Sequence, residues 1–578
     1  MFMVRYTGNL QVRNFGTAFA DNRLTVEFVR LTGANLILIT SLIMKLSTIF
    51  KGLSLALLIL GIQATAGAQG VQENTQKFGR LLRLVESYYV DTTNINDLTE
   101  KAIVSMLQEL DPHSVYISKD EVEKMNEPLQ GNFEGIGITF NILKDTLLVL
   151  STVPGGPSEK VGLQAGDRIV TIDGQNVAGI GIKNDDVMKK LRGEKGSRVD
   201  LQVSRRSNAQ LLDFTIIRDK IPIYSLDASY MIDQETGYIK LNRFSATTIE
   251  EFQTAMADLK KSNVKNLILD LRNNGGGFLK AAIDLADEFL PTNSMVVYTE
   301  GVNNPKRDYR ATSKGLFESG RLVVLVNENS ASASEIVAGA VQDWDRAVII
   351  GRRSFGKGLV QQPFYLTDGS MVRLTTAHYF TPAGRGIQKP YVNGVTDYRN
   401  DYQRRMEHGE LFTADSISFP DSLKFKTLVN GRTVYGGGGI MPDIFVSLDT
   451  SYLYRYYNRI QRNSIVNNFV MDYVDKNRAS LAKEYQDFDQ FNKKYRVSDN
   501  IIESIVASAE KEGIARDQES LDFTKDMMKK DIKAMIARDL FTINHFYRVH
   551  NQDDKAILKA LEILKDQKQF RDLLAKIE

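Results

Sequence analysis

Twice near the middle of this chain a short strand-like run gives way to a loop and then to a helical pattern. Asn266 to Leu271 leads through a glycine run into Leu279 to Phe289, and Arg321 to Val326 leads into Ser332 to Trp344. Alternation of this kind predicts an α/β core. The texture differs on either side of it. From about Leu129 to Asp219 short strands (Gly137 to Ile142, Thr146 to Val153, Asp167 to Ile172, Arg198 to Ser204) are separated by Gly/Pro turns, with one helix near Asp185 to Leu191, which predicts a small β-rich domain. Between Gln76 and Leu110 apolar residues recur at helical spacing, so two helices joined near Thr92 to Asp97 are expected, the second ended by Asp111-Pro112. Beyond about Asp449 the chain is charged, aromatic and helical in pattern, and nothing in it assigns a role.

A length of 578 residues allows several domains, and 43% hydrophobic with 25% charged residues is the balance of an ordinary folded protein. The 73 basic and 71 acidic residues leave a formal charge of +2, which gives no electrostatic reason to expect nucleic acid as a partner. Cysteine is absent, which excludes disulfide frameworks, thiol nucleophiles and cysteine-based metal sites together. Any chemistry must come from oxygen and nitrogen groups.

The N-terminus carries an export pattern. From Met44 onward, Lys45 and Lys51 precede an apolar run from Leu53 to Ile62, followed by Ala64, Ala66, Gly67 and Ala68 before Gln69. That is the layout of a secretory signal cleaved after Ala68. Met44 stands where such a signal begins, so residues 1–43 read as a mis-assigned start. The apolar run is shorter than the roughly 20 residues a spanning helix needs, which speaks against an uncleaved anchor. With no cysteine to carry a lipid, the expectation is a periplasmic protein, soluble or loosely associated with the inner membrane.

The segment Asn327 to Gly339, NENSASASEIVAG, places hydroxylated residues where a strand hands over to a helix. A serine there lies at the positive end of a helix, among free backbone N–H groups suited to a developing oxyanion. Ser330, Ser332 and Ser334 could equally serve only as helix caps. A second feature follows at Ala347 to Gln362, where Lys357 stands between two glycines after an apolar strand. Gly351 to Lys357 also spells the first seven positions of a phosphate-binding loop, but Gly358 follows where Ser or Thr is required, and Pro363 interrupts any helix. A lysine acts as a general base only if its pKa, ordinarily about 10.4, is brought towards neutrality by burial or nearby positive charge. A carboxylate contact would do the opposite, so Asp343 is expected to be structural and Gln361, neutral and four residues past the lysine, to be the orienting partner. Of the five histidines (His113, His378, His408, His545, His550) only His378 lies in the core beside a strand-like segment, and no motif surrounds it.

The segments SASASE, FGKG followed by Gln361, DLRNNGGG (Asp270 to Gly277) and LDPHSVY (Leu110 to Tyr116) resemble those of the C-terminal processing, or tail-specific, peptidases, over roughly residues 76–445. The separation of 25 residues between Ser332 and Lys357 is that family's spacing. The resemblance implies Ser332 as nucleophile, Lys357 as general base, Gln361 as the residue that positions it, and the Gly276 and Ala333 amides as oxyanion donors. Many relatives have proline where Gly275 stands, a difference that should loosen this loop. Gly135 to Ile138, GIGI, resembles the carboxylate-binding loop of PDZ domains, and Val153 to Gly174 resembles their second signature. Gly135, Ile136, Gly137 and Ile138 are therefore the expected tail-binding residues, with Ile136, Ile138, Val187 and Leu191 favouring an apolar tail.

The implied fold is multidomain α/β. It has an N-terminal helical segment (76–128), a β-rich PDZ-like domain (129–219), a crotonase/ClpP-like protease core (220–448) and a helical C-terminal region (449–578), after a start and signal over 1–68. The implied function is an exported serine endopeptidase that binds protein or peptide tails and needs no metal or cofactor. An activating partner or self-assembly is compatible with it. Two rivals are a catalytically silent tail-binding scaffold and an acyl-CoA-processing enzyme of the crotonase type.

Overall fold

The computed structural model describes residues 70–206, 208–312, 315–449 and 454–575. The expected signal at 44–68 and its cleavage site lie outside the described residues. Residues up to Thr99 form one compact unit, in which a helix runs over 70–88 and a second begins at Ile95. Residues Glu100–Glu578 form the other.

The central layer of the second unit is a six-stranded sheet in the order Leu226–Met231, Thr236–Leu241, Asn266–Asp270, Arg321–Val326, Ala347–Gly351, Ile444–Phe445. The first pair is antiparallel and the rest are parallel. Its central strands are buried along nearly their whole length and mostly apolar because both faces are covered. One face packs on the helices Thr248–Lys261, Leu279–Asp287 and Ala333–Asp343. The other packs on the C-terminal helix Lys555–Lys565, through Ile557, Ala560 and Ile563 against Ile268, Val323 and Val348.

A second, antiparallel sheet closes over one side. Its spine is the ten-residue strand Met371–Phe380, paired with Leu359–Tyr365, Val115–Ile117 and Met295–Gly301, and the last of these pairs with Asn304–Arg310. After Val115–Ile117 comes the helix Lys119–Gln130, which the sequence reading did not resolve within its helical segment 76–128; it carries no buried residue and contains Pro128, so it leaves no apolar periodicity to read.

The β-rich module has strands Ile138–Ile142, Leu147–Thr152, Arg168–Ile172, Arg198–Ser204 and Leu212–Ile217 in that sheet order, and the helix Asn184–Leu191. Ile138–Ile142 is an edge strand, paired on one side only, with Leu147–Thr152. The C-terminal region is helical throughout, with long helices Ile465–Glu484 and Gln518–Leu540 around their own core of Val470, Ile505, Met528 and Ile532. The module rests on the first of these. Asp475 accepts from Arg168 and Arg206, both at 2.6 Å, and Asp472 pairs with Lys144 at 2.8 Å. No described helix is long and apolar enough to cross a membrane.

Candidate active site

The strand Arg321–Val326 ends in a buried turn, and the chain then enters the helix Ala333–Asp343 with Ser332 as its N-cap. Ser332 has φ 56° and ψ −112°, a conformation that non-glycine residues avoid. The turn is held by Ser330, whose hydroxyl donates to the Leu271 carbonyl at 2.8 Å, and by Ser334, whose hydroxyl donates to Asn274 O at 2.9 Å. Of the three serines, those two are buried and committed to backbone carbonyls, while Ser332 lines an open cleft.

That cleft, of about 380 Å3, brings Ser332, Ala333, Gly276, Lys357 and Gln361 together. Its other walls are largely apolar: Leu129, Leu279, Ile336, Leu359, Pro363 and Met371. The glycine loop touches the serine turn so closely that a Cβ at Gly276 would stand 2.8 Å from both the Ala331 carbonyl and the Ser332 Cβ, at φ +99°. At Gly277 it would lie within 1.9 Å of the Phe244 carbonyl. Glycine is required at both positions for this approach.

Lys357 is half-buried, and its amine is lowered from the ordinary 10.5 to about 8, chiefly by burial and next by the positive charge of Arg373. Glu335 and Asp111 oppose the shift through their charge alone, without a hydrogen bond to the amine. Asp343 does not act on it. Asp343 pairs with Arg385 at 2.6 Å, both side chains fully buried, and accepts the Ala383 N–H at 2.8 Å.

Two of the expected contacts are replaced by others. The Gly276 N–H donates to the Asn274 side-chain oxygen at 2.9 Å, so in this arrangement it is engaged and not an open oxyanion donor. The Ala333 N–H, at the first position of the helix, meets no acceptor among the described residues, as the first N–H groups of a helix generally do not. Gln361 donates to Thr375 Oγ1 at 3.1 Å, and that hydroxyl donates on to Asp111 Oδ1 at 3.1 Å, so its partner is Thr375 in place of the lysine. His378 is exposed on its strand, and the histidine brought near Lys357 is His113. Burial and the Lys357 charge lower the His113 ring to about 4, and its Nε2 lies 2.8 Å from the Tyr398 hydroxyl.

Glu335 was not singled out by the sequence reading, yet it joins the two halves of the site. It is fully buried and has no cationic partner. One carboxylate oxygen accepts the Ser332 N–H at 2.8 Å and the Lys357 N–H at 2.9 Å, and the other accepts the Gly356 N–H at 2.7 Å and the Ser354 hydroxyl at 2.6 Å. Burial raises its pKa while these four bonds oppose the rise, and four donors with no acceptor among them suit the carboxylate form. Tyr379 adds a second tie, with its hydroxyl against the Ser332 carbonyl at 3.1 Å and against that of Lys357. The Ser-x-x-Glu spacing of a capping box was the available signal for Glu335, but its reach to Gly356 and Lys357 is not local.

In the β-rich module the N–H groups of Ile136 and Gly137 meet no acceptor among the described residues, while the Ile136 carbonyl accepts both the N–H and the hydroxyl of Ser158. Ile136, Val187 and Leu191 are at most 4% exposed within the module's own core, leaving Ile138 half-buried on the edge strand.

Residues 235–397 match the model of peptidase family S41, residues 148–205 that of the PDZ domain, and residues 456–542 a family of unknown function. The chain is 34% identical over 355 residues to the carboxy-terminal-processing protease of Bartonella bacilliformis, covering 61% of this chain and 81% of that protein. It is 34% identical over 340 residues to carboxy-terminal processing protease CtpA of Bacillus subtilis, covering 58% and 72%. Among solved structures, the photosystem II D1 C-terminal processing protease aligns at 32% identity over 54% of this chain and 89% of that one, with a TM-score of 0.31.

Proposed function

We propose that this chain, which belongs to the carboxy-terminal processing protease family and carries a PDZ domain, is an exported serine endopeptidase working through Ser332 and Lys357. The observation that carries the reading is a strained serine at a helix N-terminus sharing one cleft with a lysine lowered to about 8.

In the proposed reaction the neutral Lys357 amine takes the Ser332 hydroxyl proton as the oxygen attacks the scissile carbonyl carbon. The tetrahedral oxyanion forms beside the Ala333 N–H and the glycine loop. Lys357 then gives that proton to the departing amine as the C–N bond breaks, leaving an acyl ester on Ser332. Water, deprotonated by Lys357, attacks the ester and releases the acid, and the proton returns to the serine oxygen. Glu335 and Tyr379 hold the serine turn and the lysine loop in register throughout.

Substrate tails with apolar ends are proposed to add as a strand along Ile138–Ile142, with the terminal carboxylate at the Ile136 and Gly137 N–H groups. The unpaired edge of that strand supports this. Export to the periplasm rests on the signal pattern at 44–68.

The test is cleavage of an unfolded protein or an apolar-tailed peptide by the mature protein and by Ser332→Ala and Lys357→Ala. Loss of turnover in both is expected, and undiminished cleavage by either rejects the mechanism. N-terminal sequencing of the envelope form should begin at Gln69, and a retained 44–68 segment would refute cleavage of the signal.

A further inference from the structure

Two cations in the cleft, Lys357 and Arg373, have no hydrogen-bond or ion-pair partner among the described residues, and the proposed reaction uses only the lysine. On the strand Met371–Phe380, Met371, Arg373 and Tyr379 line the cleft beside Ser332 and Lys357. Arg373 is half-buried, and burial is the one influence that lowers its pKa, with no acidic group opposing it. Other arginines drawn into the core have carboxylate or carbonyl partners. Arg272, Arg352, Arg385 and Arg432 each meet a carboxylate at 2.6–2.7 Å, and Arg346 places its guanidinium against the Phe289, Phe317 and Gly320 carbonyls. Asp111 reaches Thr375, two residues along the same strand, but its oxygens are taken by Thr375 Oγ1, the His113 and Ser114 N–H groups and the Ser114 hydroxyl.

A partly desolvated guanidinium without a counter-ion is unfavourable in a resting protein, and its planar fork matches a carboxylate in two-point contact. We propose that Arg373 is the anchor of a carboxylate subsite beside the scissile bond, taking either an Asp or Glu side chain of the substrate or a free terminal carboxylate. The apolar walls around it, with Leu279, Ile336 and Met371, make the preferred cleavage site an apolar residue with an acidic group close by. The subsite rests on the peptidase reading but is separable from it.

The test uses peptides sharing one apolar core and an amidated end, with Glu or Gln placed in turn at each position around the cleaved bond, and a Gln series with a free terminus. The wild type should cut the Glu peptide at one position, or the free-terminus peptide, roughly ten- to a hundred-fold faster than its neutral counterpart by kcat/KM. That ratio should fall to near one in Arg373→Gln and lie between in Arg373→Lys, with each enzyme's rate on the neutral amide as its own baseline. A wild type without acidic preference, or a preference that survives Arg373→Gln, overturns the subsite. The same pairs are bound to Ser332→Ala with and without Arg373→Gln, read by fluorescence anisotropy. If no peptide is cut, the peptidase reading falls, and the presence or loss of acidic preference in binding decides the subsite by itself.

Discussion

Replacing Lys357 with methionine should abolish turnover and at the same time stabilise the protease core at neutral pH. The amine drops from 10.5 to about 8 in the fold, chiefly because burial disfavours its charge. A difference of that size corresponds to about 3 kcal/mol of unfavourable free energy while the lysine is protonated in both states. The side chain is only half-buried and water screens part of the effect, so a gain of about 1–3 kcal/mol is expected from a methionine that keeps the apolar stem. The sign follows from proton counting. Below about 8 both folded and unfolded wild type carry the proton and the destabilisation is complete. Between about 8 and 10.5 the unfolded state holds more protons than the folded one, so wild-type stability rises with pH and the advantage of methionine fades. Trp344, the one tryptophan, caps the serine helix and donates to the Met295 carbonyl at 2.7 Å, so its fluorescence reports unfolding of this core. Denaturant titrations at several pH values, in a Ser332→Ala background that prevents self-cleavage, measure the difference. A Lys357→Met protein less stable at pH 7, or one whose advantage does not change with pH, would refute the reasoning.

For the wild type, log kcat/KM should climb with unit slope below about 8 and level off above it, since only the neutral amine is a base. Arg373→Gln removes a charge that lowers the lysine and should move this limb to higher pH, and Glu335→Gln removes one that raises it and should move the limb lower; shifts in one common direction would contradict the charge assignment. Gly276→Ala forces a methyl to 2.8 Å from the Ser332 Cβ and should reduce kcat by about 100-fold or more, measured with the folded fraction followed at Trp344. Asp343→Ala strands the fully buried Arg385 and should cost roughly 3–5 kcal/mol in denaturant unfolding, with a loss under about 1 arguing against a structural ion pair. Asp475→Ala removes the acceptor of Arg168 and Arg206 and should speed hydrogen exchange in the β-rich module while leaving the core sheet unchanged.

The core was legible because its strands are covered on both faces. Asn266 to Leu271 and Arg321 to Val326 could be read as short, mostly apolar strands, and the observed strands are Asn266–Asp270 and Arg321–Val326. The β-rich strands were legible through their turns, and Arg198 to Ser204 has the same bounds in the fold. What could not be read is pairing at long range. Val115–Ile117 lies against Met371–Arg373 across more than 250 residues, and no local pattern announces it. The same limit applies to the site. Ser332 and Lys357 stand in recognisable segments, but the partners of Gln361 and Gly276 depend on Thr375 and on the turn of the Asn274 side chain, and the isolation of Arg373 exists only in three dimensions.

The contacts around the site divide by strength. The serine turn and the lysine loop are tied by four hydrogen bonds to one buried carboxylate, and bonds to a charged group are about twice as strong as neutral ones. The Gly276 and Gln361 bonds, to Asn274 at 2.9 Å and Thr375 at 3.1 Å, are neutral, each worth about 1 kcal/mol net. An oxyanion offered to the Gly276 N–H forms a charge-assisted bond that outcompetes the neutral one it replaces, whereas the Gln361 side-chain oxygen can accept from a protonated Lys357 while its amide N–H still donates to Thr375. On the proposed mechanism, nucleophile and base therefore stay fixed while the Gly276 amide changes partner as charge develops. The exchange at Gly276 is confined to a loop where Gly276 and Gly277 both have positive φ, so the peptide can turn without strain on a side chain.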